Sequence, residues 1–155
     1  MIDLEIEDPA WVTTLPQAES LVAAAAHAAL AGAGRTGDVV VLLADDASVR
    51  DLNNRFRGKD TVTNVLSFPA PPNPEDHLGD VALAYGVCAA EAAQQGKSLA
   101  DHLQHLVAHG VLHLVGYDHE NDADAADMEG LERAVLAGLG VADPYGAEQG
   151  DDDEF

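Results

Sequence analysis

Residues 109 to 119 read His-Gly-Val-Leu-His-Leu-Val-Gly-Tyr-Asp-His, with imidazoles at His109, His113 and His119 and a glycine, Gly116, between the last two. Two histidines four apart on a helix lie on one face, roughly 40° from each other. A glycine then lets the chain leave the helix and swing a third histidine back toward the first two. Three neutral imidazoles with an open fourth position make a hydrolytic zinc site, in which bound water becomes acidic near neutral pH. The metzincin proteases share this spacing, but their first histidine is followed by a glutamate that serves as general base. Here that residue is Gly110. The segment therefore predicts a metal site that lacks the protease base.

The same helix carries His102 and His105, and the four histidines up to His113 fall within a stripe about 80° wide. His109, His113 and His119 are the expected ligands of one Zn2+ ion. Nickel, copper or another divalent ion is chemically compatible, because three imidazoles discriminate weakly among these metals. His102 and His105 lie one to two turns away, where they would line a cleft or orient substrate. His105 is the alternative third donor if the turn at Gly116 runs the other way. The ring nitrogen not on the metal needs an acceptor. Asp118 and Glu120, which flank His119, are candidates unless they are simply solvated loop acids. Tyr117 is expected to pack under the turn, with its hydroxyl available to a bound anion.

These residues need a scaffold. Met1 to Glu7 alternates apolar and acidic residues, the signature of a strand with one wet face, and Pro9 ends it. Pro16 to Ala31 is rich in good helix formers and stops at Gly32 and Gly34. Val39 to Ala44 is a continuous apolar run, expected to be a strand buried on both faces. Asp46 is placed to cap a short helix through Asn54 that turns Val49 and Leu52 inward. A turn-rich loop follows from Phe56 to Thr61, then a strand from Val62 to Phe68. Prolines 69, 71, 72 and 74 predict an extended, exposed and mobile loop. Leu78 to Ala84 reads as a strand and Gly86 to Gln95 as a helix ended by Gly96. The histidine helix starts after Ser98 and stops at Gly116. A last helix begins at Asp122 or Asp124, with Met128, Leu131, Val135, Leu136 and Leu139 at helical spacing.

The resulting class is α+β: a small four-stranded mixed sheet with about five helices packed on it, and a metal site on a helix facing a cleft. Strand order does not follow from the sequence. Residues 1–147 are expected to form one domain, and 148–155 an acidic, disordered tail. The single cysteine, Cys88, excludes an internal disulfide framework and is expected to be a buried, inert thiol. His27 is expected to be a surface or packing residue. Neither a signal-type segment nor a membrane span is seen, so a soluble cytoplasmic protein is expected.

The formal net charge is -21, which argues against a polyanionic partner. Its distribution qualifies that argument. Four of the seven basic side chains, Arg50, Arg55, Arg57 and Lys59, fall within ten residues, while acids crowd the region from Asp118 to Glu154. A basic island on an acidic body could meet phosphate or merely solvate a helix end.

Three separated segments together resemble the YbeY family of bacterial endoribonucleases: Phe56-Arg-Gly-Lys-Asp-Thr-Val-Thr-Asn-Val-Leu-Ser-Phe-Pro69, Leu78-Gly-Asp-Val81 and His109 to His119. The resemblance spans about residues 36 to 145 and includes the closing Ala142-Asp143-Pro144-Tyr145. It implies a zinc-dependent, single-strand-specific endoribonuclease that acts in ribosomal RNA maturation, notably at the 3′ end of the small-subunit (16S) RNA, and in ribosome quality control. It implies zinc on His109, His113 and His119, and places the family's functional arginine on Arg57. Asn64 stands where some members have aspartate, so no role is carried over to it. Single-stranded ribosomal RNA would be the substrate; a ribosomal protein or ribosome-associated GTPase would be a partner. Chemically, Arg57 offers a planar clamp for a phosphorane. Proton transfer is left to zinc-bound hydroxide, a substrate group, His102, His105 or a cleft carboxylate. Two other readings are open: a ribosome-assembly factor with a mainly structural metal, and a small zinc peptidase. The missing glutamate and the arginine weigh against the peptidase.

Overall fold

The apolar run at the centre of the sequence becomes the middle of the sheet. In the computed structural model, which describes residues 1–118 and 121–144, strand β2 (Asp38–Ala44) pairs in parallel with β1 (Ile2–Ile6) on one side and β4 (His77–Ala84) on the other. Strand β3 (Val65–Pro69) closes the order β1-β2-β4-β3 and runs antiparallel to β4. The α+β class and the four-stranded mixed sheet agree with the sequence reading. The sequence-predicted tail 148–155, and with it His119, Glu120 and Tyr145, lies outside the described residues.

Six helices accompany the sheet among the described residues: α1 (Ala10–Thr14), α2 (Ala18–Gly32), α3 (Asp46–Arg57), α4 (Tyr85–Gln95), α5 (Leu99–Leu114) and α6 (Asp122–Gly138). Helices α2 and α5 pack on each other and cover one sheet face, where Val39, Val41, Leu43, Val81 and Leu83 are fully buried. Helix α6 closes over both through Met128, Val135 and Leu136. Helix α3 takes the opposite face with Val49 against Leu66, Ala44 and Ala84. It covers that face only in part, so Val40 and Leu42 stay half-buried and β2 is fully enclosed on one side alone.

Local chemistry moves several boundaries. Helix α1 is too short for a periodic pattern, yet it is fixed by the buried Trp11, whose Nε1 donates to the Ala44 carbonyl at 3.0 Å. Helix α3 is capped by Asp45, which accepts from Ser48 N, and runs through Phe56 and Arg57 until Gly58 takes the left-handed conformation at φ 68. Those two residues are therefore helical. The neighbouring Asp46 instead accepts from Val87 N at 3.1 Å, supplying α4 with the cap that Ala84 lacks. The proline-rich connection is tied together by Asn73, which donates to the carbonyls of Pro71 and His77 and accepts from His77 N.

Candidate metal centre

Helix α5 is held at both ends by the signals its sequence carries. Ser98 accepts from Asp101 N at 3.1 Å. At the other end Gly116 adopts φ 103, and Tyr117 N reaches back to the Leu112 carbonyl at 3.0 Å. That turn brings Tyr117 and Asp118 to the cleft beside the helix end. The chain continues from there into His119, outside the described residues.

Gly110 answers a packing need. A Cβ at this position would stand 2.8 Å from Val81 Cγ1 and 3.1 Å from Ser67 Oγ, and the Ser67 hydroxyl donates to the Gly110 carbonyl at 3.0 Å. The residue faces the sheet. A glutamate here could not act in the cleft, because the side chain would have to enter the β3–β4 surface.

The four stripe histidines divide into two pairs. His109 and His113 present their Nε2 atoms to each other at 3.1 Å and line a cleft of about 540 Å³. That separation is close to the ~3.3 Å between two donors of one tetrahedral ion with Zn–N bonds near 2.0–2.1 Å. His102 and His105 are buried and do not line this cleft. The His102 Nε2 donates to Glu91 at 2.9 Å, and Glu91 in turn accepts from Asn64 Nδ2 at 3.0 Å. Burial lowers the pKa of His102, against the opposing pull of Glu91. Burial thus favours the neutral ring.

His105 and His109 share one carboxylate. Glu132 of α6 is fully buried and accepts from His109 Nδ1 at 2.9 Å and from His105 Nε2 at 3.0 Å. Burial alone would raise this carboxyl, but the hydrogen bonds from His105 and His109 outweigh it and hold it at about 2. With Nδ1–H donating to Glu132, His109 is held with its Nε2 aimed at His113. Sequence reasoning looked for this acceptor at Asp118 and Glu120 and missed Glu132. The signal was present. Glu132 stands four residues from both Met128 and Leu136, inside the apolar stripe of α6.

The opposite wall is the outer edge of β3. Asn64 and Phe68 neighbour residues that alternate in direction, and the bonds from Ala84 N to Asn64 O and from Ala70 N to Leu78 O set which carbonyls face β4. The Ser67 carbonyl faces outward, and Arg57 Nη2 donates to it at 2.6 Å. Arg57, Ser67, His109, His113, Tyr117 and Asp118 therefore line one cleft. Of the four residues of the expected basic island, Arg50 is paired with Asp60, Arg55 with Asp51, Lys59 does not line the cleft, and Arg57 stands at its wall.

A family model described as endoribonuclease YbeY matches residues 6–140. The chain belongs to the YbeY family. An endoribonuclease YbeY of Paramagnetospirillum magneticum is 50% identical over 95% of this chain and 96% of its own length. That of Maricaulis maris is 48% identical over 93% of this chain and 91% of its own. The fold is also similar to the solution structure of TM1509 from Thermotoga maritima, with a TM-score of 0.56 and 24% identity over 90% of this chain and 91% of that one. The family match takes in the segments around Arg57, Gly79 and His113 on which the resemblance rested.

Proposed function

We propose that this chain is a zinc-dependent, single-strand-specific endoribonuclease of ribosomal RNA maturation and quality control. His109, His113 and His119 hold the ion, and Arg57 clamps the phosphate. The observation that carries the reading is the placement of two converging imidazole nitrogens and one guanidinium on the walls of a single cleft. The residues fit zinc: two imidazole nitrogens at the spacing of a shared ion, one of the rings oriented by a buried carboxylate. When bound, zinc supplies Lewis acidity toward a phosphoryl oxygen. Everything else falls to the protein. Arg57 binds and orients the phosphodiester through its planar donors, drawing on a side chain already pinned at Ser67. Glu132 fixes the His109 tautomer. Asp118 and Tyr117 are the ionisable groups of the cleft wall from which proton transfer to or from the sugar oxygens would come.

The inward-facing Gly110 disfavours a peptidase, since it leaves no place for the glutamate base. An assembly-factor role is supported by the charge of -21, which suits basic ribosomal proteins or a ribosome-associated GTPase carrying a basic face.

The deciding experiment measures metal content and cleavage of a single-stranded RNA with wild type, His113→Ala and Arg57→Gln purified in parallel. The expected result is loss of zinc and cleavage in the first variant, and retained zinc with lost cleavage in the second. Undiminished cleavage by Arg57→Gln refutes the arginine assignment. Absent cleavage in zinc-loaded wild type refutes the enzyme reading.

A further inference from the structure

Beyond the cleft wall, two aromatic rings in contact are flanked on either side by a guanidinium. The Arg57 guanidinium, anchored on the Ser67 carbonyl, has its Cζ 5.4 Å from the centroid of the Phe68 ring. Phe68 meets Phe56 edge to face at 5.6 Å, and Arg55 Cζ lies 5.8 Å from the centre of Phe56. Phe56 is 65% exposed. A large ring left in water in the last turn of α3 gains little for the fold. It does offer a flat surface beside two guanidiniums.

This arrangement has the chemistry that single-stranded nucleic acid requires: a π-face for a base and cations for its phosphates. It is also where a chain of net charge -21 concentrates positive charge, since Arg55, Arg57 and Lys59 are three of its seven basic residues. The Arg55 pair with Asp51 is exposed and long at 3.4 Å, a weak contact that a phosphate can displace. The neighbouring sheet face carries Glu5, and Asp80 bonded to His77 Nε2 at 2.8 Å, a surface less suited to a phosphate backbone than the arginine side.

Resting on the endoribonuclease reading, we propose that Phe56 is the stacking platform for an unpaired nucleobase flanking the bond to be cut, with Arg57 and Arg55 on successive phosphates. Every base has a π-face, so the platform tolerates sequence. A base inside a duplex is already stacked and cannot reach it without being extruded. Phe56 is thereby a determinant of single-strand preference.

The test is equilibrium binding, read by fluorescence anisotropy, of a short labelled single-stranded oligoribonucleotide, intact or carrying one abasic residue. Phe56→Ala is expected to weaken binding of the intact strand roughly five- to hundredfold, with unchanged zinc content and unfolding midpoint. Phe56→Tyr should bind like wild type and Phe56→Leu like the alanine variant. The abasic residue that weakens wild-type binding should have no further effect on Phe56→Ala, the non-additivity expected of partners in one contact. Arg55→Gln should reduce the slope of log K against log salt by about 0.7. Unchanged affinity in Phe56→Ala, or Leu binding as well as Tyr, overturns the platform while leaving the endoribonuclease reading intact. Wild type that neither binds nor cuts the strand overturns both.

Discussion

His109 and Glu132 face each other across the α5–α6 interface, with imidazole Nδ1 and carboxylate oxygen 2.9 Å apart and the carboxylate fully buried. The second oxygen of the same group holds His105. One residue of α6 thus sets the rotamer and tautomer of a cleft histidine from behind, while α5 supplies both rings.

Replacing Glu132 by alanine should therefore weaken zinc binding about 10- to 100-fold, the usual effect of removing a carboxylate behind a metal-bound imidazole. It should also destabilise the fold by about 1–3 kcal/mol, because the buried His105 nitrogen loses its acceptor. Competition with a chromogenic chelator reads the first effect and urea unfolding the second. Wild-type zinc affinity in a folded Glu132→Ala protein would refute the orienting role.

Gly110→Ala sets two effects against each other. Helix propensity favours alanine by about 1 kcal/mol. Its Cβ, however, would stand 2.8 Å from Val81 Cγ1 in a fully buried contact. Overpacking of this kind costs about 1–3 kcal/mol, and the branched valine on a central strand has little room to move. Net destabilisation is expected, measured as a lower urea midpoint with an unchanged m-value. A more stable variant would show that α5 can lift off the sheet freely.

Acid should weaken the protein through His102. Its pKa in the fold is lowered by burial, below the ordinary 6.5, despite the neighbouring Glu91 carboxylate. The unfolded chain then binds a proton that the folded ring refuses. This contribution is complete above about 6.5 and is lost as pH falls below that value toward the folded pKa. Urea unfolding at several pH values should show stability falling in that window, and His102→Gln should flatten the dependence. An equal slope in both proteins would locate the effect elsewhere.

Cys88 should be silent toward thiol reagents in the native state. It is fully buried, and burial pushes the thiol well above its usual range, with Glu91 and Asp46 adding to the shift. Reaction with an aromatic disulfide should appear only as urea unfolds the chain. Rapid labelling of the native protein would contradict the packing of α4.

Much of this was legible in the sequence because the signals were local. The cap at Ser98, the stops at Gly96 and Gly116, and the spacing of His109 and His113 each concern residues within a turn or two of one another. The strands were recognisable for the same reason. Their order was not, since β2 pairs with β4, 33 residues beyond its end, and skips the intervening β3, a long-range choice that no local pattern encodes. Asp46 was misread because its side chain serves α4, a helix 39 residues on, and no local rule reports that. Glu132 was missed differently. It sits 23 residues from His109, while Asp118 and Glu120 lie nearer in sequence. A charge inside the α6 apolar stripe is the kind of exception that asks for a partner.

Strand β3 is one of the two outer strands of the sheet, and its outward positions carry Pro69, which has no N–H, and Ser67, whose carbonyl Arg57 occupies. Unguarded strand edges recruit other strands. The guanidinium proposed to grip substrate thus also guards this border against pairing with another molecule, so one side chain links the strand edge to the proposed site. Arg57→Gln should therefore bare a strand edge as well as the cleft wall.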